Sequence, residues 1–316
     1  MKILVVGASG YIGSYLIPHL LAAGHKVTAY DRGLFGKGHL PDNGNLKFIV
    51  GDIRWVKQMN EACEGQDVVI LLAAIAAESM IQKDPTFAKT VNIGGAMNVA
   101  ISAKQAGVKR LIYASSVAVY GSTTNPAIES DEQKPSSNYG EHKKEAEYRV
   151  RKNFPEAVIT RVATVCGYSS NMAFHMTINR MVNEAIRTGI VTVNGGTQRR
   201  SHINMKDVVK AYLLLLDHPK AEGEAFNFVH SNLSIRDTAE LVARVLGHTV
   251  SIQTTPPTDG RSYTVSGAKA LEVLGFAPTH SIEDAIGHMK AVFASNQWKD
   301  SLTSDVYQRI CERVDP

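Results

Sequence analysis

The chain has 316 residues, 44% hydrophobic and 20% charged, which fits a soluble globular protein of one large domain or two modest ones. A formal charge of +4 with no Lys/Arg block gives no basis for nucleic-acid binding. Cys63, Cys166 and Cys311 are scattered and odd in number, so neither a disulfide framework nor a metal site is expected, and a reducing, cytoplasmic setting is.

The first element, KILVV, reads as a strand. MKILVVGASG has one lysine and too short an apolar run for a signal peptide, and AYLLLLDHP is far too short to span a bilayer, so no membrane partner is expected. GASGYIG then sets Gly7, Gly10 and Gly13 at the start of a helical pattern over Tyr11–Ala23. Such a triplet lets the chain turn tightly and brings a pyrophosphate against N–H groups at a helix N-terminus. Gly7, Ser9, Gly10, Tyr11, Ile12 and Gly13 are therefore candidate cofactor contacts. The spacing is GxxGxxG rather than GxGxxG, and its weight comes from the strand and helix that flank it.

HKVTAYD is the second strand and ends at Asp31. A carboxylate there accepts from both ribose hydroxyls of adenosine and repels a 2′-phosphate, so NAD is the expected cofactor. Arg32, next to it, is the one feature that would admit NADP. The glycine-rich stretch Arg32–Asn45 is expected to be a mobile loop. LKFIVGD follows as a strand and offers Asp52 and the Ile53 backbone to the adenine edge. Asp52 reads equally well as the N-cap of a helix over Val56–Cys63.

DVVILLAA, KRLIYASS and AVITRVA continue the strands, with helical spacing over Thr86–Ala106 and Ser137–Asn153 between them. This alternation predicts a doubly wound parallel sheet, and the nearly continuous apolar strands predict burial on both faces. Beyond about Gly167 the rhythm changes. Helical patterns at Met172–Thr188, Lys206–Asp217, Ser234–Leu246 and Ile282–Ala294 alternate with the short strands VTVNG, SHIN, EAFNF and VSIQT. The expected division is a dinucleotide-binding domain over 1–166 and mainly a smaller α/β substrate lobe over 167–316, with some return to the first domain. The tail Trp298–Pro316 reads either as a docked helix or as partly disordered.

YASSVAVYG carries Ser115 and Ser116, and YGEHK sets Tyr139 and Lys143 four residues apart, on one face of a helix. With GxxGxxG, SSxxxYG and YxxxK in this order, nearly the whole chain resembles the extended short-chain dehydrogenase/reductases. Within them it is similar to the NAD-dependent nucleotide-sugar epimerases and dehydratases of the UDP-glucose 4-epimerase type. The resemblance implies a Rossmann-type doubly wound sheet with a C-terminal α/β lobe. It also implies NAD, a UDP-, dTDP-, GDP- or CDP-sugar as substrate, and a homodimer formed by helices 86–106 and 137–153.

A phenol of pKa ~10 is a poor base near neutrality. Lys143 and a positive nicotinamide favour its phenolate, so Tyr139 takes a sugar hydroxyl's proton as hydride leaves. Counting back from Gly121 as in the epimerases, the resemblance gives Ser116 as the serine that holds the same oxygen, with its neighbour Ser115, a candidate cofactor contact, as the alternative. Related dehydratases follow the hydroxyl residue with Asp-Glu, which protonates a leaving hydroxyl. Here Val117 and Ala118 stand in those places and cannot transfer protons. That leaves 4-epimerisation through a 4-keto intermediate, with a one-way dehydrogenase or ketoreductase, or a dinucleotide sensor, as alternatives.

The resemblance further places Leu72, where many relatives have histidine, with Ala73 and Ala74 against the cofactor. It puts Asn92 at the active-site end of its helix. Thr164, where many relatives have asparagine, and Asn179, Arg200 and Arg261 fall on the substrate's sugar or diphosphate. His202 replaces a usual aromatic residue, and SSNMAFH departs from an arginine-bearing subgroup.

Overall fold

The computed structural model describes residues 1–34, 36, 39–247, 249–257 and 260–294. In chain order it begins with β1 (Lys2–Val6), α1 (Tyr11–Ala22), β2 (Lys26–Asp31), β3 (Leu46–Val50), α2 (Val56–Cys63) and β4 (Val68–Leu71). The short helices α3 (Glu78–Lys83) and α4 (Pro85–Lys89) lead through a π-helical turn (Thr90–Gly95) into α5 (Ala96–Gln105). Then come β5 (Arg110–Ser116), a 3₁₀ turn (Val117–Tyr120), α6 (Asn138–Asn153), β6 (Val158–Val162) and β7 (Thr164–Cys166). The remainder is α7 (Thr177–Thr188), β8 (Ile190–Asn194), β9 (Arg199–Asn204), α8 (Met205–Leu215), β10 (Ala225–Phe228), β11 (Ser231–Ser234), α9 (Ile235–Leu246), β12 (Ser251–Thr255), α10 (Ala268–Leu274) and α11 (Ile282–Phe293).

The central sheet has seven strands in the order β10-β6-β5-β4-β1-β2-β3. Every pairing in it is parallel. Strand order reverses next to β1, and that switch point is where doubly wound sheets bind ligands. Alternation along β1 separates the core into its two faces. Ile3 and Val5 pack with Leu16, Ile17 and Leu20 of α1 and with Tyr212 of α8. Leu4 and Val6 pack with Met59 of α2, Val99 of α5 and Val150 of α6. Burying each such side chain contributes about 1.5–3 kcal/mol. The first of these clusters continues unbroken into α7, β8, β9, α9 and α11. β7, β9 and β11 form a three-stranded sheet, and β8 pairs with β12.

Several expectations are corrected. AVITRVA is not one strand: β6 ends at Val162 and β7 turns into the smaller sheet. EAFNF returns to the central sheet as β10, parallel to β6. The helix expected from Met172 begins at Thr177, because Met172, Ala173 and Phe174 are buried in a turn whose Ala173 carbonyl accepts from Asn179 Nδ2 at 3.2 Å. The segment Thr86–Ala106 is helical from Pro85, where Asp84 caps it, and is interrupted by the π-helical turn. α3, α10 and β11 were not anticipated, being short and without clear periodicity. The mobile loop expected at Arg32–Asn45 falls partly outside the described residues, and the tail Trp298–Pro316 falls wholly outside them. Among the described residues no helix is long and apolar enough to cross a membrane.

Candidate active site

The C-terminal ends of the parallel strands open onto a cavity of about 400 Å³. At its cofactor end lies the loop after β1. Gly7 has φ +89°, and a Cβ there would stand 2.5 Å from the Ala73 amide nitrogen. A Cβ on Gly13 would stand 2.5 Å from the carbonyl oxygens of both Ala8 and Gly7. The loop can therefore lie on the chain after β4, and α1 can start directly against the loop, only with glycine at these places. Gly10 is the N-cap of α1 and provides no side-chain cap, so the first turn presents its N–H groups and positive dipole end to the cavity. These features fit a pyrophosphate cradle.

Ile12, Ile53, Leu72, Ala73 and Ala74 line the same end. Asp31 lines it too; its Oδ2 accepts from Ser9 N at 3.0 Å and its Oδ1 from Gly33 N at 2.8 Å. Ser9 itself is fully buried behind the loop. Asp52 is not the cap of α2, a place taken by Trp55. It accepts from Arg54 N (2.9 Å), Nε (3.0 Å) and Nη2 (2.8 Å), and from Arg32 Nε at 3.2 Å. Burial pushes the Asp52 carboxyl up, but the hydrogen bonds from Arg54 and the charges of Arg54 and Arg32 outweigh it and hold it below its usual range. Asn92 lies outside the cavity wall. Its Oδ1 accepts from Ile75 N at 2.7 Å and its Nδ2 donates to Ile75 O at 2.9 Å, so it clamps the segment after β4.

At the other end, Ser116 closes β5 and caps the 3₁₀ turn, its Oγ accepting from Ala118 N at 3.1 Å. Tyr139 stands in the first turn of α6, which Ser137 caps. A Cβ on Gly140 would stand 2.6 Å from Ala118 O and 2.8 Å from Pro135 Cβ. A residue without a side chain is needed there if Tyr139 is to approach the Ser116 turn. Glu78 of α3 secures the same end of α6, accepting from Asn138 Nδ2 at 2.8 Å and Tyr139 N at 3.2 Å.

Lys143 is buried, donates to Ala114 O at 2.6 Å and lies 5.7 Å from the centre of the Tyr139 ring. Burial pulls this ammonium down to about 7, against the raising influence of Glu147. Burial likewise drives the Tyr139 phenol up, with Tyr212 and Tyr263 adding to it. Desolvation thus works against the charged form of both members of the pair.

Ser115 lines the cavity, yet its hydroxyl donates to Glu147 Oε1. Arg161 grips the same carboxylate through Nε (3.1 Å) and Nη2 (2.9 Å), and Gln133 Nε2 reaches Oε2 at 2.7 Å. Arg161 Nη1 then meets Tyr120 Oη at 2.8 Å, which donates to Asn227 Oδ1 at 2.8 Å. Sequence reasoning missed this network. Its signal was an arginine inside the otherwise apolar strand VITRV and a glutamate one helical turn beyond Lys143.

Of the four residues assigned to substrate beyond Ser116, Thr164 and Arg261 line the cavity. Asn179 is fully buried away from its wall, accepting from Gly167 N at 3.1 Å and donating to Tyr11 Oη at 3.0 Å. Tyr11 Oη in turn donates to Gly167 O at 2.6 Å. Arg200 Nη1 donates to the carbonyls of Arg199 (2.9 Å) and Arg261, with its guanidinium 5.2 Å from the Tyr263 ring centre, so it props the segment that lines the cavity. His202 is enclosed between β7 and β11; burial and then Arg200 push its imidazole down to about 3, leaving it neutral. Val117, Ala118, His175, Met176 and Tyr263 also line the cavity. None of the last three was assigned a role from the sequence.

Residues 3–228 match the model of the NAD dependent epimerase/dehydratase family. UDP-glucose 4-epimerase of Mycolicibacterium smegmatis is 29% identical over 304 residues, covering 90% of this chain and 96% of that protein. UDP-glucose 4-epimerase of Lacticaseibacillus casei is 28% identical over 323 residues, covering 90% and 94%. Among solved structures, UDP-glucuronic acid 4-epimerase from Bacillus cereus, in complex with UDP-glucuronic acid and NAD, superposes with a TM-score of 0.84 at 27% identity, covering 94% of this chain and all of that one. The glycine cradle, the serine strand and the Tyr–Lys helix all lie inside the matched span. The chain belongs to the NAD-dependent epimerase/dehydratase family of extended short-chain dehydrogenase/reductases, and its cofactor is NAD.

Proposed function

We propose that this protein is a nucleotide-sugar 4-epimerase that uses Tyr139 as its proton-transferring group and Ser116 to hold the reacting oxygen. The observation that supports the reading is one cavity lined by Ser116 and Tyr139 together with Gly7, Gly10 and Gly13, with Val117 and Ala118 also in its lining. Neither can act as an acid or base, so a 4-keto sugar formed there has no partner for elimination of its 6-hydroxyl. NAD supplies a reversible hydride acceptor and, when oxidised, a positive charge. The loop Gly7–Gly13, Asp31 and Leu72–Ala74 would hold it.

The remaining roles belong to the chain's own groups. Ser116 Oγ steadies the oxygen at which charge develops. Tyr139 takes that oxygen's proton and returns it after the sugar has turned. Lys143 stands behind the phenol as the adjustable charge. Arg261 is the lining cation for the substrate's diphosphate, since its planar fork suits bidentate phosphate binding. UDP is the nucleotide favoured by the relatives' names. We also infer a homodimer built on α4–α5 and α6, by family analogy.

A panel of UDP- and dTDP-sugars with catalytic NAD tests the reading. The expected outcome is a C4 stereoisomer with no accumulation of NADH, abolished by Tyr139→Phe with NAD binding retained. Stoichiometric NADH with a released 4-keto product would make the protein a one-way dehydrogenase instead.

A further inference from the structure

One aromatic ring outside the Ser/Tyr/Lys trio lies directly against Lys143. β5 is paired on both sides, which fixes Tyr113 between Leu71 of β4 and Ile159 of β6. Alternation along the strand sends Tyr113 and Ser115 to the face that α6 covers. Tyr113 packs in the cluster that holds Ala146 and Val150 of α6, and Ser115 reaches Glu147. Lys143 comes down onto the carbonyl of the residue between them, Ala114, at 2.6 Å. Its Nζ thereby stands over the Tyr113 ring, 4.8 Å from the ring centre, and 5.7 Å from the centre of the Tyr139 ring. Both distances are inside the roughly 6 Å at which an ammonium gains from an aromatic face.

The useful part of Tyr113 is its ring. The residue is 1% exposed, and its hydroxyl meets no hydrogen-bond partner among the described residues. So enclosed, an unpartnered hydroxyl costs stability rather than adding to it. Burial, followed by Tyr139, Glu147 and Tyr212, pushes this phenol well above its ordinary range. It stays neutral, so it offers the ammonium a negative ring face and no proton-transferring charge of its own. From the other elements around Lys143 come Tyr139 and Glu147 of α6 and the Ala114 carbonyl of β5. The Glu147 carboxylate is already gripped by Arg161 of β6 and engaged by Ser115 and Gln133. Its influence on Lys143 is therefore offset by the Arg161 guanidinium, whereas the Tyr113 face is not shared with another cation.

We infer that Tyr113 is a positioning residue for Lys143, its ring face holding the ammonium in the charged form beside Tyr139. The inference rests on the reading of Tyr139 and Lys143 given above and adds a side chain behind that pair. A desolvated ammonium over an aromatic face gains roughly tenfold in proton affinity. The charge so preserved is the one that favours the Tyr139 phenolate when a sugar hydroxyl is to be deprotonated.

The test replaces Tyr113 in the full-length protein with phenylalanine bearing no, one, two or three ring fluorines, which weaken the ring face while nearly keeping its shape. The titration of Lys143 is followed by NMR of protein labelled at the lysine side-chain carbons, its signal assigned by loss in Lys143→Met. Turnover on the panel of UDP- and dTDP-sugars is measured with the NAD-loaded protein. Tyr113→Phe keeps the face and removes the unpartnered hydroxyl, so it should leave the Lys143 titration in place without loss of stability in urea. Added fluorines should lower the titration midpoint stepwise, by about one pH unit over the series, and lower kcat at about pH 8 by roughly tenfold in parallel. A midpoint unmoved by three fluorines would overturn the inference, as would a midpoint displaced by Tyr113→Phe itself, which would make the hydroxyl the working group. A kcat that stays constant while the midpoint falls would remove the positioning role. The expected titrations with no turnover on any sugar would overturn the nucleotide-sugar reading and leave the hold of Tyr113 on Lys143 standing. Normal turnover with an unmoved titration would do the reverse.

Discussion

Lys143 and Asp31 show how single side chains are tuned by what surrounds them. Lys143 is charged in the unfolded chain up to about 10.4, whereas in the folded chain burial lowers it to about 7. Between those values the unfolded state binds the extra proton, so this residue makes stability rise with pH over that window and adds no pH dependence below it, where both states are protonated. Lys143→Met should therefore stabilise the NAD-free protein more at pH 6 than at pH 10, by at least about 1 kcal/mol. Urea unfolding at the two pH values measures the difference, and the hydrogen bond lost to Ala114 O is common to both. A difference of zero or of opposite sign would mean that Lys143 stays charged in the fold. Asp31 poses the cofactor question, because the Arg32 beside it is held by Asp52 at 3.2 Å. NAD should bind more tightly than NADP, and Asp31→Ala should narrow the gap by about tenfold or more. Calorimetry showing NADP preferred by the unaltered protein would contradict this. Asp31 was legible as the last residue of a strand; the guanidinium–carboxylate pairing next to it depends on how two loops meet.

At the scale of elements, β5 and α6 must be held in one register for Ser116 to meet Tyr139. Gly140 allows their close approach, and the Ser115–Glu147–Arg161 network pins α6 to β5 and β6. Glu147→Gln would leave the Arg161 guanidinium buried without its counter-charge and should destabilise the fold by about 3–5 kcal/mol. Ser115→Ala removes one hydrogen bond and should cost only about 1 kcal/mol. Denaturant titration of both variants checks this, and equal small losses would mean that solvent reaches the pair. Most elements were legible because strand and helix periods are local properties of the chain. The exceptions are instructive. Met172–Met176 has helical spacing, yet burial of Met172, Ala173 and Phe174 in a turn overrides it. The π-helical turn is another case, since it turns Asn92 toward Ile75, a contact no local pattern encodes.

For the whole molecule, assembly and the substrate site both depend on surfaces that meet only after folding. α6 leaves Tyr148 58% exposed. A dimeric mass by light scattering at micromolar concentration is expected, and a monomeric mass would remove the family-based assembly. The amino-acid sequence by itself determined the strand–helix alternation, the glycine turn and the placing of Tyr139 and Lys143 on one helix face, because each rests on residues a few positions apart, where period, turn chemistry and helix spacing act locally. Ser116, 23 positions before Tyr139, was joined to that pair by the family resemblance. Tertiary structure decided which distant residues share the cavity. It brought His175, Tyr263 and Arg261 into the wall of the same cavity as Ser116, while Asn179 and Arg200 were drawn into support of the backbone around it. It also moved the titration of Lys143 down and that of Tyr139 up. Loss of water around them is a property of the packed whole, and no stretch of sequence contains it.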